Sequence, residues 1–238
     1  MKRQNSKAAE KPKRASPPAE VSSKKSKILV VDDHPIVRQG FAQLISQEDD
    51  LELSGEAGDA TEAMECLKTS PPDLAIVDLS LKGINGIDLT KSMLAEQPKL
   101  PILIVSMFDE ALYVERVLRA GARGYLMKQE ATEKVVGAIR KILAGDIYVS
   151  ERMGDVLLQK FVSGRPPAQG SPLENLSDRE LEVMQLVGQG KGTRQIAEEL
   201  HVSVKTVESH YAKIKEKLNL KTANELIQYA VKWFHSEA

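Results

Sequence analysis

Four charged side chains of this sequence stand just past short apolar runs. Asp32 and Asp33 follow Ile28-Leu29-Val30-Val31, Asp78 follows Leu74-Ala75-Ile76-Val77, and Lys128 follows Gly124-Tyr125-Leu126-Met127. Carboxylates crowded together repel one another, and a divalent cation relieves that repulsion. Mg²⁺ in particular takes oxygen ligands, usually one or two carboxylates with waters and phosphate oxygens. Held there by Asp32, Asp33 and Asp78, it would leave Asp78 to attack a phosphoryl donor as a carboxylate nucleophile. The cation and Lys128 would spread the charge on the transferring group, which is most of catalysis in phosphoryl transfer. Ser106, at the end of Ile102-Leu103-Ile104-Val105, could give the resulting acyl phosphate a hydroxyl hydrogen bond. Any one of these residues alone reads as a turn or helix cap. It is the joint pattern that points to a phosphate pocket.

Such a pocket needs a scaffold that brings distant residues together. From Ile28 to about Ile147 the chain alternates between short apolar runs and longer amphipathic stretches, which predicts buried parallel strands between helices. Strands are expected near 28–32, 51–57, 74–78, 101–106 and 123–127, and helices near 35–47, 60–69, 86–97, 111–119 and 132–144. Right-handed βα units of this kind give an α/β fold, a doubly wound five-stranded parallel sheet with helices on both faces. Ligands of such sheets bind at the carboxyl ends of the strands, so all four charged groups belong to one rim.

The formal net charge of −1 conceals segregation. Residues 1–27 carry +7, residues 28–147 carry −8, and residues 148–175 and 176–238 are each neutral. An acidic middle can hold a cation and is a poor surface for nucleic acid. The basic stretch 1–27, rich in Lys, Ser, Pro and Ala, is expected to be a disordered tail, either solubilising or attracted to nucleic acid. No apolar stretch reaches the roughly 20 residues needed to cross a bilayer, and no secretory core is read near the start. The single Cys66 excludes disulfides and cysteine-rich metal sites within one chain, and its setting is that of a small core residue. A cytoplasmic protein without a membrane partner is expected.

Residues 148–175 include Ser163-Gly164-Arg165-Pro166-Pro167-Ala168-Gln169-Gly170-Ser171-Pro172 and read as a linker. Residues 176–238 then read as helices only. Ser177 and Glu180 form a capping box, and further helices are expected near Thr193–Leu200, Val204–Leu218 and Ala223–Trp233. Val207, Tyr211, Ile214 and Leu218 share one face of the third helix, the face for a core. Opposite them lie Lys205, Ser209, Ala212, Lys213 and Glu216, with Glu208 on one flank and Thr206 and His210 on the other. The frame is that of a helix-turn-helix, whose second helix enters the DNA major groove. Lys205, Lys213 and Arg194 could neutralise phosphates, and Thr193 could contact the backbone from a helix N-terminus. A plain helical bundle with surface lysines fits the same periodicity. His210 lacks a second ligand at metal-binding spacing.

Two resemblances sharpen this. Residues 28–147, through Ile28-Leu29-Val30-Val31-Asp32-Asp33-His34, Val77-Asp78, Ser106 and Tyr125-Leu126-Met127-Lys128, resemble the flavodoxin-like receiver domain of bacterial two-component response regulators. The resemblance implies that Asp78 is the phosphoacceptor, that Ser80 offers its backbone carbonyl to Mg²⁺, and that Ser106 and Tyr125 are switch residues beside Lys128. Lys82 and Gln129 depart from the proline common at those positions. Leu176-Ser177-Asp178-Arg179-Glu180, Ile196-Ala197-Glu198-Glu199-Leu200, Ser203-Val204-Lys205-Thr206-Val207-Glu208-Ser209-His210 and Ile214-Lys215-Glu216-Lys217-Leu218 are similar to the LuxR-type helix-turn-helix. Together they resemble the NarL/FixJ class of response regulator. That class implies a sensor histidine kinase as phosphate donor, double-stranded DNA as target, base contacts by Glu208, Ser209 and Ala212, and a homodimer when phosphorylated. Glu208 could accept from cytosine N4. The last helix, with Ile227, Ala230, Val231 and Phe234, offers a pairing face.

The expectation is therefore a transcription factor and not an enzyme, beyond assisting its own phosphoryl transfer and dephosphorylation. Competing readings are a LuxR-type regulator that senses a small ligand, a regulator indifferent to phosphorylation, and a metal-dependent phosphohydrolase. The aligned acids and Lys128 argue against the first, and the lack of further acid–base apparatus argues against the last.

Overall fold

A computed structural model describes residues 25–163 and 172–237. Elements run β1 (Ser26–Val31), α1 (Pro35–Ser46), β2 (Leu51–Ala57), α2 (Ala60–Thr69), β3 (Leu74–Asp78), α3 (Gly86–Glu96), β4 (Ile102–Ser106), α4 (Glu110–Arg119), β5 (Gly124–Met127) and α5 (Ala131–Leu143). The helical part follows as α6 (Glu151–Ser163), α7 (Asp178–Gly188), α8 (Thr193–Glu199), α9 (Val204–Lys217) and α10 (Ala223–Glu237). The strands form one parallel sheet in the order β2-β1-β3-β4-β5. β3 and β4 are buried at every residue, as strands covered on both faces must be.

Local chemistry sets the helix starts. Asp59, Asn85 and Asp109 each accept a hydrogen bond from a first-turn amide of α2, α3 and α4. Ser177 and Glu180 close the expected capping box on α7, and Ser203 caps α9. Beyond α7, Gly190 takes φ +82°, the left-handed turn that a side chain would strain.

The core has two parts. Val30, Ile45, Leu103, Val135 and Ile139 fill the layer under α1 and α5. Leu29, Val77, Ile104, Val114 and Val117 fill the other face, and that cluster continues without a break into Leu176, Leu181, Val207, Ile214, Leu226 and Trp233 of the helical part. The two halves are thus packed together. Burying each such Leu, Ile or Val side chain stabilises by about 1.5–3 kcal/mol.

Three expectations need correcting. The stretch 148–175 is not all linker, because Glu151–Ser163 is helix α6, and Met153 is buried in the shared core. Pro172–Asn175 adds a 3₁₀ turn, and the proline-rich part between lies outside the described residues. The basic tail is shorter than expected: Ser26 and Lys27 pair with Leu51 and Glu52 in the sheet, while residues 1–24 lie outside the described residues. On α10, Ala230 is fully buried, and a methyl on Gly188 of α7 would fall 2.8 Å from its carbonyl oxygen and 2.7 Å from Phe234 Cβ. Ala230 and Phe234 therefore serve packing within the chain, and Ile227 is the exposed member of the expected pairing face. Cys66 is half-buried beside Gly55.

Candidate phosphoacceptor and DNA-contact sites

Sheet register explains how the charged residues meet. Val31 pairs with Val77, so Asp32, just past β1, and Asp78, the last residue of β3, lie side by side on adjacent strands. Asp78 pairs with Val105 and Ser106 with Met127, which brings Ser106 and Lys128 to the same rim. The order reverses between β1 and β3, the switch point where open α/β sheets leave a crevice.

Lys128 Nζ lies 2.7 Å from Asp32 Oδ2 and 2.7 Å from Asp78 Oδ2. Burial pushes the Asp78 carboxyl up to about 7; Lys128 pulls against that shift and Asp32 adds to it. Burial alone would lower the Lys128 ammonium, but Asp78 and Asp32 outweigh it and hold it above its ordinary value. The backbone amide of His34 donates to Asp32 Oδ1 at 2.8 Å. Ser106 is 1% exposed, and its Oγ accepts from the Phe108 amide at 3.1 Å. Tyr125 already points inward: its hydroxyl donates to the Phe108 carbonyl at 2.7 Å, and burial drives its pKa far up.

The donor set suits a hard divalent cation. Ligand atoms of Asp32, Asp33, His34 and Asp78 lie within 4.8 Å of one another. Asp33 Oδ1 is buried with no hydrogen-bond partner, although His34 Nδ1 approaches to 2.7 Å. A carboxylate oxygen left this way is costly unless a cation meets it. Oxygen donors dominate, as Mg²⁺ requires.

Four residues at this rim escaped the sequence reading. Gly86 opens α3 so close to the acidic strand that a Cβ there would sit 2.1 Å from the Asp78 carbonyl oxygen. Its signal was present, a second glycine three residues after Gly83 in the loop following β3. His34 carries no role in the sequence beyond its place in a motif, yet its imidazole touches both Asp32 and Asp33. The other two come from the helical domain. Glu182 of α7, fully buried, accepts from Ser80 Oγ at 3.1 Å and pairs with Arg179 at 2.8 Å. His201, in the turn before α9, brings Nε2 to 2.9 Å from Asp33 Oδ2. Only the docking of the two domains reveals them.

In the helical domain, Lys205, Glu208, Ser209, Ala212 and Lys213 are exposed along α9, and Arg194 is exposed on α8. They form one outward face, while Val207 and Ile214 are buried beneath it. Thr206 Oγ1 bonds Ser203 Oγ at 2.8 Å, and Thr193 is half-buried beside Tyr211. His210 turns partly inward: its Nδ1 is buried, and burial lowers its pKa with Arg179 nearby. Of the flank residues, His210 and Thr206 are half-buried and Glu208 is exposed.

Residues 28–140 match the response regulator receiver domain, and residues 174–230 match the bacterial regulatory proteins of the luxR family. The oxygen regulatory protein NreC of Staphylococcus carnosus (strain TM300) is 40% identical over 210 residues, spanning 87% of this chain and 97% of that one. The chain belongs to the LuxR-type response regulators. An NreC of Staphylococcus epidermidis is 38% identical over 211 residues, spanning 87% and 97%. Among solved structures, RcsB from Salmonella enterica serovar Typhimurium, bound to promoter P1flhDC in the presence of phosphomimetic BeF3⁻, is similar at TM-score 0.58 and 27% identity over 87% of this chain and 98% of that one. A LuxR-family two-component response regulator from Aurantimonas sp. SI85-9A1 gives TM-score 0.54 and 33% identity over 58% and 99%. This response regulator is accordingly a phosphorylation-regulated DNA-binding transcription regulator, and the ligand-sensing alternative is not favoured. No helix among the described residues is long and apolar enough to cross a membrane.

Proposed function

We propose that a sensor histidine kinase phosphorylates Asp78 and that the modification controls DNA binding by α9. The observation that carries this reading is the single ammonium of Lys128 bridging Asp32 and Asp78 at 2.7 Å each. That arrangement holds the two carboxylates together and leaves a cation at hand for a phosphoryl oxygen. Asp32, Asp33, Asp78 and the Ser80 backbone carbonyl are the proposed Mg²⁺ ligands. When bound, Mg²⁺ supplies charge neutralisation for the phosphoryl oxygens.

Within that frame Asp78 attacks phosphorus, the phosphorus–nitrogen bond of the donor phosphohistidine breaks, and the imidazole leaves with its electron pair and takes a proton. The product is an acyl phosphate. Lys128 and the Ser106 hydroxyl bind its oxygens; Ser106 Oγ accepts from the Phe108 amide, which leaves the hydroxyl proton to be donated. Charge-assisted hydrogen bonds are worth about 1.5–3 kcal/mol each. Turning a 1:99 population into 99:1 needs about 5.5 kcal/mol, so a few such bonds are of the right size.

On the DNA side, Lys205, Lys213 and Arg194 meet phosphates, with Thr193 and Thr206 at helix N-termini. Glu208, Ser209 and Ala212 face base edges in the major groove, and His210 lies at the margin. The phosphorylated protein pairs as a homodimer and acts in the cytoplasm. Intact-mass measurement after incubation with acetyl phosphate and Mg²⁺ tests the assignment. The full chain should gain one phosphoryl group and Asp78→Asn none; a labelled Asp78→Asn protein would refute it.

A further inference from the structure

The helical domain docks on the cation site itself. The Asp33 side chain is 3% exposed and both its oxygens face imidazoles: Oδ1 lies 2.7 Å from His34 Nδ1 and Oδ2 lies 2.9 Å from His201 Nε2. His34 belongs to the same rim, but His201 reaches in from the helix-turn-helix. A second interdomain contact, Ser80 Oγ to Glu182 Oε1, fixes the loop just after Asp78. Arg116 holds the far side of the interface through Leu173, Leu176 and Asp178 and touches none of the acidic rim.

We propose that a divalent cation and the docked helix-turn-helix compete for Asp33, with His201 as the residue that couples them. The inference rests on Asp32, Asp33 and Asp78 being the cation site. The His201 imidazole and a Mg²⁺ ion draw on the same carboxylate charge, and the ion, held at about 2.0–2.1 Å, brings an octahedron completed by water into the space beside Asp33. The turn at His201 and the Glu182–Ser80 contact border that space from the helix-turn-helix side. Cation binding therefore weakens docking before any phosphoryl group arrives, and docking lowers cation affinity by the same factor. Whatever draws the helix-turn-helix away, operator DNA included, tightens cation binding.

His201 sits at φ 51°, a left-handed backbone that asparagine tolerates, so His201→Asn removes the imidazole with the turn kept. Arg116→Ala loosens docking from the opposite side. The sole tryptophan, Trp233, is 9% exposed and lines the interdomain cavity with Phe108, Leu112 and Met127 of the receiver, so its emission reports undocking.

The test is Mg²⁺ titration of the full chain without phosphodonor, followed by calorimetry and by Trp233 emission. We expect the emission to shift to the red as Mg²⁺ saturates. Both His201→Asn and Arg116→Ala should bind Mg²⁺ at least about fivefold tighter, a coupling of the usual size. Saturable binding with equal Kd in all three proteins, or weaker binding in His201→Asn, would overturn the competition while leaving the cation site standing. Tighter binding in His201→Asn alone would overturn the link to docking. No saturable binding in any of them would overturn the cation site and this inference together.

Discussion

Arg116 of α4 reaches across the domain boundary and holds Asp178, the first residue of α7, at 2.9 Å. The same guanidinium donates to the carbonyls of Leu176 at 2.8 Å and Leu173 at 3.0 Å. α4 is thereby tied to the start of the DNA-binding domain, and Tyr113, one turn before Arg116, stacks on Phe108 at a ring separation of 5.3 Å. Phe108 in turn accepts the Tyr125 hydroxyl and gives its amide to Ser106. A continuous chain of contacts runs from the expected switch residues to the interface.

Replacing Arg116 by alanine removes that tie. Three hydrogen bonds from a charged donor are lost, at about 1.5–3 kcal/mol each before solvent replaces them. We expect a larger radius of gyration by small-angle scattering and faster amide exchange in α4 and α7, with the receiver sheet unchanged. A radius equal to that of the parent protein would refute the role given to Arg116.

Gly86 makes a sharper prediction about the rim. A Cβ at this position would lie 2.1 Å from the Asp78 carbonyl oxygen and 2.8 Å from Leu79 Cα, so the backbone must move. Overpacking of this kind costs about 1–3 kcal/mol. Displacing a reacting group by an ångström costs about 10²-fold in rate. Gly86→Ala should stay folded by circular dichroism yet accept phosphate from acetyl phosphate at least about tenfold more slowly. An unchanged labelling rate would count against the placement of Asp78 as acceptor.

Much of this could be read from residue order, and the failures have one cause. Strand and helix limits in the receiver follow from apolar runs and caps, so β2, β3 and α2 fall where the sequence places them. The rim residues were found because each ends a strand, and parallel register does the rest. Helix α6 was missed because Gly154 and the polar residues Glu151, Arg152 and Asp155 dilute its apolar face. His201 and Glu182 carried no local signal, since their meaning depends on a partner surface more than a hundred residues away in the chain. Ala230 departs from expectation for the same reason: a small residue on a helix shows no sign of whether the chain or a second copy covers it.

Glu180 predicts a pH dependence of stability in the C-terminal domain. Burial raises its pKa, but Lys217 at 2.6 Å and the Ser177 amide at 2.8 Å outweigh that and hold it below its ordinary value of 4.5. A carboxyl lowered in the folded state stabilises above its unfolded pKa, and that stability is lost as pH falls through the folded pKa. Glu180→Ala should cost about 1–2 kcal/mol at neutral pH, the scale of a lost cap. The difference from the parent should shrink steadily below about pH 4.5. Urea unfolding across that range measures it, and a difference that stays constant into acid would show that the charge plays no part.

The outward face of α9 separates two kinds of DNA contact. Lys205 and Lys213 are exposed there, as are Glu208, Ser209 and Ala212, so each can be changed without disturbing Val207 or Ile214 beneath. A lysine that meets a phosphate contributes the same to every sequence. Its removal should weaken specific and non-specific binding alike and reduce the slope of log K against log salt by about 0.9 per contact. A residue facing a base edge behaves differently: Glu208→Gln should change preference at one base pair by about 1–3 kcal/mol while leaving the salt slope in place. Binding titrations of the phosphorylated protein at several salt concentrations, on a selected operator and on its single-base variants, distinguish the two. If Lys213→Ala leaves the salt slope untouched, α9 does not lie in the groove in the orientation proposed.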